Sequence, residues 1–196
     1  MNVQVKSSNG ITLVPIDSRL MAERKVFIEG EIDQETACDF IKKIMLLTRE
    51  DKNKAIDVFI NTPGGEINSG MLIYDVIQSS NTPIRMFCIG RAYSIGALIL
   101  ACGNHGRYIL PHGEVMIHEP LVRHPVIGIS SSIKSISDSL LEIKNRMNQL
   151  LAKHTRKTAE EVEKSTSYDH YFSSVESIEF GLCDEIVGID KIMEDT

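Results

Sequence analysis

Short runs of branched apolar residues alternate along this chain with longer segments of helical periodicity, and that alternation restricts the fold more than any other feature. Val26-Phe27-Ile28, Ala55 to Ile60, Ile84 to Ile89 and Val115-Met116-Ile117 have strand length and are largely apolar, and each reads as a strand. Between them, Ala37, Phe40, Ile41, Ile44 and Leu47 recur at helical spacing from Asp33 to about Asp51. A second helical pattern passes through Leu72, Ile73, Val76 and Ile77. After a turn at Gly90 to Tyr93, an apolar helix is expected from Ser94 to Cys102. A long helix follows from about Ser131 to His154, through Ile133, Ile136, Leu140, Ile143, Met147, Leu150 and Leu151. Strands alternating with helices predict an α/β domain of strand-helix-strand units.

Local signals refine this outline. Val3-Gln4-Val5 and Ile11-Thr12-Leu13 alternate about Asn9-Gly10, a dipeptide suited to a tight turn, which predicts an N-terminal hairpin. Thr158 with Glu161, and Ser173 with Glu176, have capping-box spacing, so two short helices are expected to begin there. Gly181 suits the end of the second. The 196 residues show no repeat and no low-complexity linker, which favours one domain.

Composition narrows the function classes. Hydrophobic residues make up 42% and charged residues 24%, a globular balance. A formal net charge of -6 with scattered Lys and Arg argues against nucleic acid or anionic lipid as partners. No apolar run reaches the roughly 18 residues of a membrane span. Met1 to Gly10 is polar, unlike the core of a signal peptide, so a cytoplasmic location is expected. Cys38, Cys88, Cys102 and Cys183 stand far apart, and three of them lie in apolar stretches, as buried inert thiols do. No metal site and no cofactor are expected.

Four segments carry candidate chemistry. In Ala92-Tyr93-Ser94-Ile95-Gly96 a Ser with small residues two positions away on either side opens a helix. Small flanks let the backbone crowd the turn so that the hydroxyl projects outward, and the helix N-terminus offers unpaired N–H groups to an oxyanion. An ordinary N-cap Ser satisfies the same pattern, and both readings stand. Asn61-Thr62-Pro63-Gly64-Gly65 permits close backbone approach, either as a second oxyanion donor with an edge for an extended peptide or as a plain strand-to-helix turn. It lacks the pattern of a phosphate-binding loop. His118 follows a buried strand and precedes Glu119-Pro120, where it could shuttle a proton or serve structure alone. The other histidines, His105, His112, His124, His154 and His170, read as surface residues. Asp169 precedes an aromatic pair and a capped helix, a setting expected to bury it partly, where it could orient a histidine or be a loop residue.

Taken together, these segments resemble the proteolytic subunit of the ATP-dependent Clp protease, the ClpP family, over about residues 17 to 188. The resemblance rests on Ser18-Arg19-Leu20, N-T-P-G-G at 61–65, G-x-A-x-S-x-G at 90–96 and M-I-H-E-P at 116–120. It continues through R-M-N-x-L at 146–150, D-x-x-x-S-x-x-E at 169–176 and G-L-x-D at 181–184. It implies a serine endopeptidase of crotonase-like α/β fold, with Ser94 as nucleophile, His118 as general base and acid, and Asp169 as the orienting carboxylate. The N–H groups of Gly65 and Ile95 would form the oxyanion hole. It further implies residues 1–16 as an N-terminal axial hairpin and 17–196 as the peptidase domain, with a projecting handle at about 121–154. Two stacked heptameric rings would enclose the sites, and a hexameric AAA+ unfoldase would feed in unfolded protein; the subunit itself would bind no nucleotide.

Four departures qualify the resemblance. Tyr168 stands where the family commonly has an Arg that couples facing rings, and Glu119 where Gln is usual. The segment from Leu121 to Ile129 is apolar instead of glycine-rich, and only Phe59 remains of an aromatic set in the outer docking pocket. The chain reads as a divergent paralogue suited to work beside a more typical second subunit. A mainly structural, weakly active ring subunit is the alternative. A crotonase-type acyl-CoA enzyme would use the Gly65 loop without needing a serine elbow.

Overall fold

Each apolar run of the sequence becomes a strand of one sheet in the computed structural model, which describes residues 1–7, 10–122 and 125–193. The chain opens with β1 (Asn2–Ser7) and β2 (Gly10–Pro15), paired antiparallel from Asn2↔Pro15 to Ser7↔Gly10, so the expected hairpin forms. Its link at residues 8–9, including Asn9, lies outside the described residues. A short α1 (Ile16–Ala22) leads to three strand-helix units: β3 (Lys25–Glu29) with α2 (Gln34–Glu50), β4 (Ile56–Thr62) with α3 (Ile67–Ser79), and β5 (Ile84–Tyr93) with α4 (Ile95–Ala101). β6 (Arg107–Ile109), β7 (Glu114–Ile117), α5 (Ser130–Thr155) and α6 (Ala159–Thr166) follow. The described chain closes with β8 (His170–Phe172), α7 (Ser174–Phe180), β9 (Glu185–Ile186) and α8 (Ile189–Met193).

The main sheet runs β3-β4-β5-β6-β9, parallel throughout. β5 is the central strand and changes partner along its length. Met86 to Cys88 pair with β6, whereas Arg91 to Tyr93 pair with β7. The turn expected at Gly90 to Tyr93 is therefore strand. The β4–β5 register slips between Ile60↔Cys88 and Thr62↔Ala92, so the extra residues of β5 are absorbed in a bulge, and the strand continues past it. At position 90 a Cβ would lie 2.7 Å from Asn61 Oδ1, so a larger residue there would displace the exposed Asn61 side chain.

Helix ends follow the local signals. Asp33 caps α2 by accepting the Thr36 N–H at 2.8 Å. Both capping boxes form, and Gly181 ends α7 in a left-handed conformation. One face of the sheet is covered by α2, α3 and α4 over Phe40, Ile44, Leu47, Ile73, Ile77 and Leu98. Every residue of α4 is buried, which explains its unbroken apolar sequence. On the other face Phe27, Phe59, Phe87 and Tyr108 stand in register across four strands and stack at 4.8–5.2 Å between centroids. Phe59 thus belongs to a row of rings. Ser130 to Ser139 of α5 are exposed on every side, while Met147 and Leu151 near its far end are buried.

Arg107 joins the C-terminal elements. Its Nη1 donates to the carbonyls of Ala101, His154 and Gly181 at 3.2, 3.1 and 2.7 Å, and its guanidinium also pairs with Asp184. At this junction His154, expected at the surface, is half-buried, with Nε2 2.9 Å from the Tyr74 hydroxyl. Helical periodicity alone did not reveal it, because His154 falls in the last turn of α5 beside α3. Burial, with Lys153 and Arg107 nearby, pushes His154 down to about 4. The unfolded chain protonates it near its ordinary value of about 6.5, so the neutral ring's contribution is complete above that pH. That contribution is lost as pH falls from about 6.5 through about 4. Melting temperature should fall across this window, and His154→Gln should flatten the fall. Identical pH profiles for the two proteins would refute the assignment.

Candidate active site

Ser94 sits between β5 and α4 at φ 57° and ψ -124°, a conformation that L-residues rarely hold. Its N–H donates to Met116 O at 2.8 Å, and its carbonyl accepts the Ala97 N–H at 3.0 Å. The side chain makes no cap hydrogen bond, so the plain N-cap reading does not hold. Instead Oγ lies 2.8 Å from His118 Nε2. Glycines make the turn possible. A Cβ on Gly64, at φ +91°, would stand 2.8 Å from both Ser94 Cβ and Tyr93 O. One on Gly96 would stand 2.5 Å from Thr62 Cγ2.

His118 is placed by sheet register. Tyr93 pairs with Met116, so the residues just beyond the ends of β5 and β7 stand side by side. Register also places Asp169. β8 pairs antiparallel with β7 at Ile117↔His170, which sets Asp169 opposite His118. Asp169 Oδ1 is 3.5 Å from His118 Nδ1, a longer approach than that between His118 and Ser94. Partial burial was expected for Asp169, but its side chain is 61% exposed. The reason is the period of two in extended chain. Tyr168, His170 and Phe172 share one face and stack on one another, which half-buries His170, another histidine expected at the surface. Asp169 therefore points the opposite way, toward the open side of the cleft.

Backbone donors converge on the same place. Ile32 forms a parallel bridge with Gly65 by donating to Gly64 O and accepting from Glu66 N, which turns the Gly65 N–H away from Ile32. A Cβ on Gly65 would lie 2.1 Å from Ile32 O, so only glycine fits the approach. Ile95 is the first residue of α4, and its N–H is one of the helix's unpaired donors. Among the described residues neither N–H has a hydrogen-bond partner. Ser94, His118, Asp169 and Gly65 line one cleft of about 790 Å³, walled by Ile67, Met116, Leu121 and Ile143 and edged by Glu31 and Glu66.

Neighbouring groups are tied down. The Tyr93 hydroxyl donates to Glu114 Oε1, and burial together with that bond pushes Tyr93 up to about 12. Tyr171 meets the Tyr93 ring edge-on at 5.7 Å between centroids. Cys88, Cys102 and Cys183 are buried as expected, and burial raises all three thiols, Cys88 to about 11. Among the described residues no group of His, Cys, Asp and Glu side chains is arranged to hold a metal ion.

A family model for Clp protease matches residues 8–190. The chain belongs to the Clp protease family. The match runs from the hairpin into α8, and it agrees with the parallel sheet, its flanking helices and the segment-by-segment resemblance in sequence. In this Clp protease family member, sequence reasoning brought Ser94 with Ile95, His118, Asp169 and Gly65 together from four separate stretches; Ser94, His118, Asp169 and Gly65 line one cleft, and Ile95 directly follows Ser94. It missed β8, whose three residues are too short to register as a strand, and with it the pairing that positions Asp169.

Left-handed strain at a non-glycine residue costs on the order of 1–3 kcal/mol, and glycine relieves it. Ser94→Gly should therefore be more stable than Ser94→Ala by about 1 kcal/mol in chemical denaturation, although both lack the hydroxyl. Equal stability, or a more stable alanine variant, would show that the turn holds Ser94 without strain.

Proposed function

We propose that the chain is a serine endopeptidase subunit that hydrolyses peptide bonds of unfolded proteins and peptides. The 2.8 Å contact between Ser94 Oγ and His118 Nε2, at a serine aimed outward by a left-handed turn, carries this reading. Ser94 Oγ attacks the scissile carbonyl carbon while His118 Nε2 takes the hydroxyl proton. The carbonyl oxygen gains charge between the N–H groups of Gly65 and Ile95. His118 then gives the proton to the leaving amine, and water repeats the sequence to free Ser94. Asp169 orients the His118 ring and stabilises its charged form. The Pro63–Glu66 edge supplies backbone for an extended substrate.

The proposed assembly is a heptameric ring, stacked in pairs, fed by a hexameric AAA+ unfoldase in the cytoplasm. Residues 1–16 would form the axial hairpin, 17–196 the peptidase domain and about 121–154 the handle between rings. Exposed Leu121, Ile127, Ile129, Ile133, Ile136 and Leu141 support a covered handle surface. No helix among the described residues is long and apolar enough to cross a membrane.

A second reading, a weakly active subunit of a hetero-oligomer, is favoured by the 3.5 Å separation and open exposure of Asp169. Tyr168 stacks on His170 where the family commonly places an inter-ring Arg, so one contact that would draw Asp169 inward is missing. The two readings differ in how active the isolated chain is.

Ser94→Ala should abolish hydrolysis of short fluorogenic peptides and labelling by a fluorophosphonate while leaving particle mass unchanged. His118→Ala should lose a comparable share, because such groups act as a unit. Near wild-type turnover in Ser94→Ala would end the mechanism. Light scattering and turnover should both rise when a second, more typical subunit is added. A homomeric double ring of full activity would instead show that other contacts replace the missing Arg.

A further inference from the structure

The Lys144 ammonium lies between two carboxylates, 3.0 Å from Glu119 Oε2 and 3.3 Å from Glu163 Oε1. These carboxylates belong to the two segments that bear the orienting pair. Glu119 directly follows His118, and Glu163 stands on α6, three residues before the helix ends and the chain turns to Asp169. Two more bonds cross the same joint. The Glu119 N–H donates to Thr166 O at 2.8 Å, and the Thr166 hydroxyl donates to Asn148 Oδ1 of α5 at 3.2 Å. Among the described residues the Asp169 carboxylate has no partner besides His118, so its placement depends on how α6 is held against the His118 segment.

We propose that Lys144 is a positioning residue: it clamps the His118–Glu119 segment to α6 and thereby sets the approach of Asp169 to His118. The inference rests on the peptidase reading and adds a residue to it. Both carboxylates are about half-exposed, and exposed ion pairs add little to global stability. The contact matters locally because of its arrangement. Removing the single cation leaves Glu119 and Glu163 facing each other as like charges across the joint. Their repulsion opens the joint where the orienting carboxylate is already 3.5 Å away. Hydrogen bonds to Glu119 and Glu163 raise Lys144 above its ordinary value, so the side chain is a cation at neutral pH. Glu119, which stands where the family usually has Gln, makes the clamp ionic on both sides.

The test compares kcat and KM on a short fluorogenic peptide for wild type, Lys144→Met, Lys144→Arg and Lys144→Met with Glu119→Gln, with amide exchange at Glu119 measured in each. Lys144→Met should lower kcat about tenfold with KM unchanged, as misplacement of an orienting group does. It should also speed exchange of the Glu119 N–H. Lys144→Arg should keep most of the rate. The double variant should recover most of it, since one of the two repelling charges is gone; a side chain needed only for packing would show no such recovery. A kcat for Lys144→Met within about twofold of wild type would overturn the proposal, because a roughly tenfold loss is expected of it. So would a double variant no faster than Lys144→Met, or unchanged exchange at Glu119. Activity surviving in Ser94→Ala would refute the peptidase reading separately, and the exchange data would still decide whether the clamp exists.

Discussion

Ser94 is held at φ 57°, and the surrounding sheet is shaped to tolerate it. Gly64 and Gly96 remove the side chains that would collide with the turn or its neighbour Thr62. The bulge between β4 and β5 lets the central strand run past its first partner and deliver residue 94 beside the end of β7. Burial of every residue of α4, the helix that follows, prevents it from shifting to relax the strain. Local strain of this kind persists only where the scaffold over-determines it. A helix of unbroken apolar sequence and a glycine-flanked serine are therefore two parts of one device.

The three polar groups of the site are not held alike. Ser94 and His118 are fixed by the parallel pairing of the central strands, and their contact is correspondingly short. Asp169 hangs from a three-residue edge strand and from the end of α6, and it faces solvent. The Ser94–His118 contact therefore depends on the sheet, whereas the approach of Asp169 depends on β8 and the end of α6.

What the sequence revealed follows from the physics of each signal. Parallel strands buried on both faces read as plain apolar runs, so β3, β4, β5 and β7 were legible, as were α2, α3 and α5 from their 3.6-residue period. Capping boxes name their own helix starts, and both at Thr158 and Ser173 formed. The bulge was not legible, because a register slip leaves no compositional trace, and Gly90 to Tyr93 therefore looked like a turn. His154 and His170 were misplaced because polarity of neighbours in sequence says nothing of neighbours across α3 or within an aromatic stack. The exposure of Asp169 depended on strand phase, which required knowing that β8 existed. Lys144 carried no signal, since an ordinary lysine on a long helix acquires meaning only from the two carboxylates that fold against it.

The apolar surplus of the 121–141 region joins assembly to chemistry. Ile127 is 93% exposed and Ile129 72%, whereas the branched residues of the central strands are buried. A surface of this kind is stable in water only when something covers it. Leu121 begins that region and also lines the cleft beside Ser94, and Ile143, about two turns beyond Ile136 on α5, lines the same wall. Whatever covers the exposed part of α5 therefore bears on the helix that forms the cleft wall and carries Lys144. The exposed apolar face and the cleft wall thus share one element, so a partner seated on α5 would act on the site through the helix that holds Ile143 and Lys144.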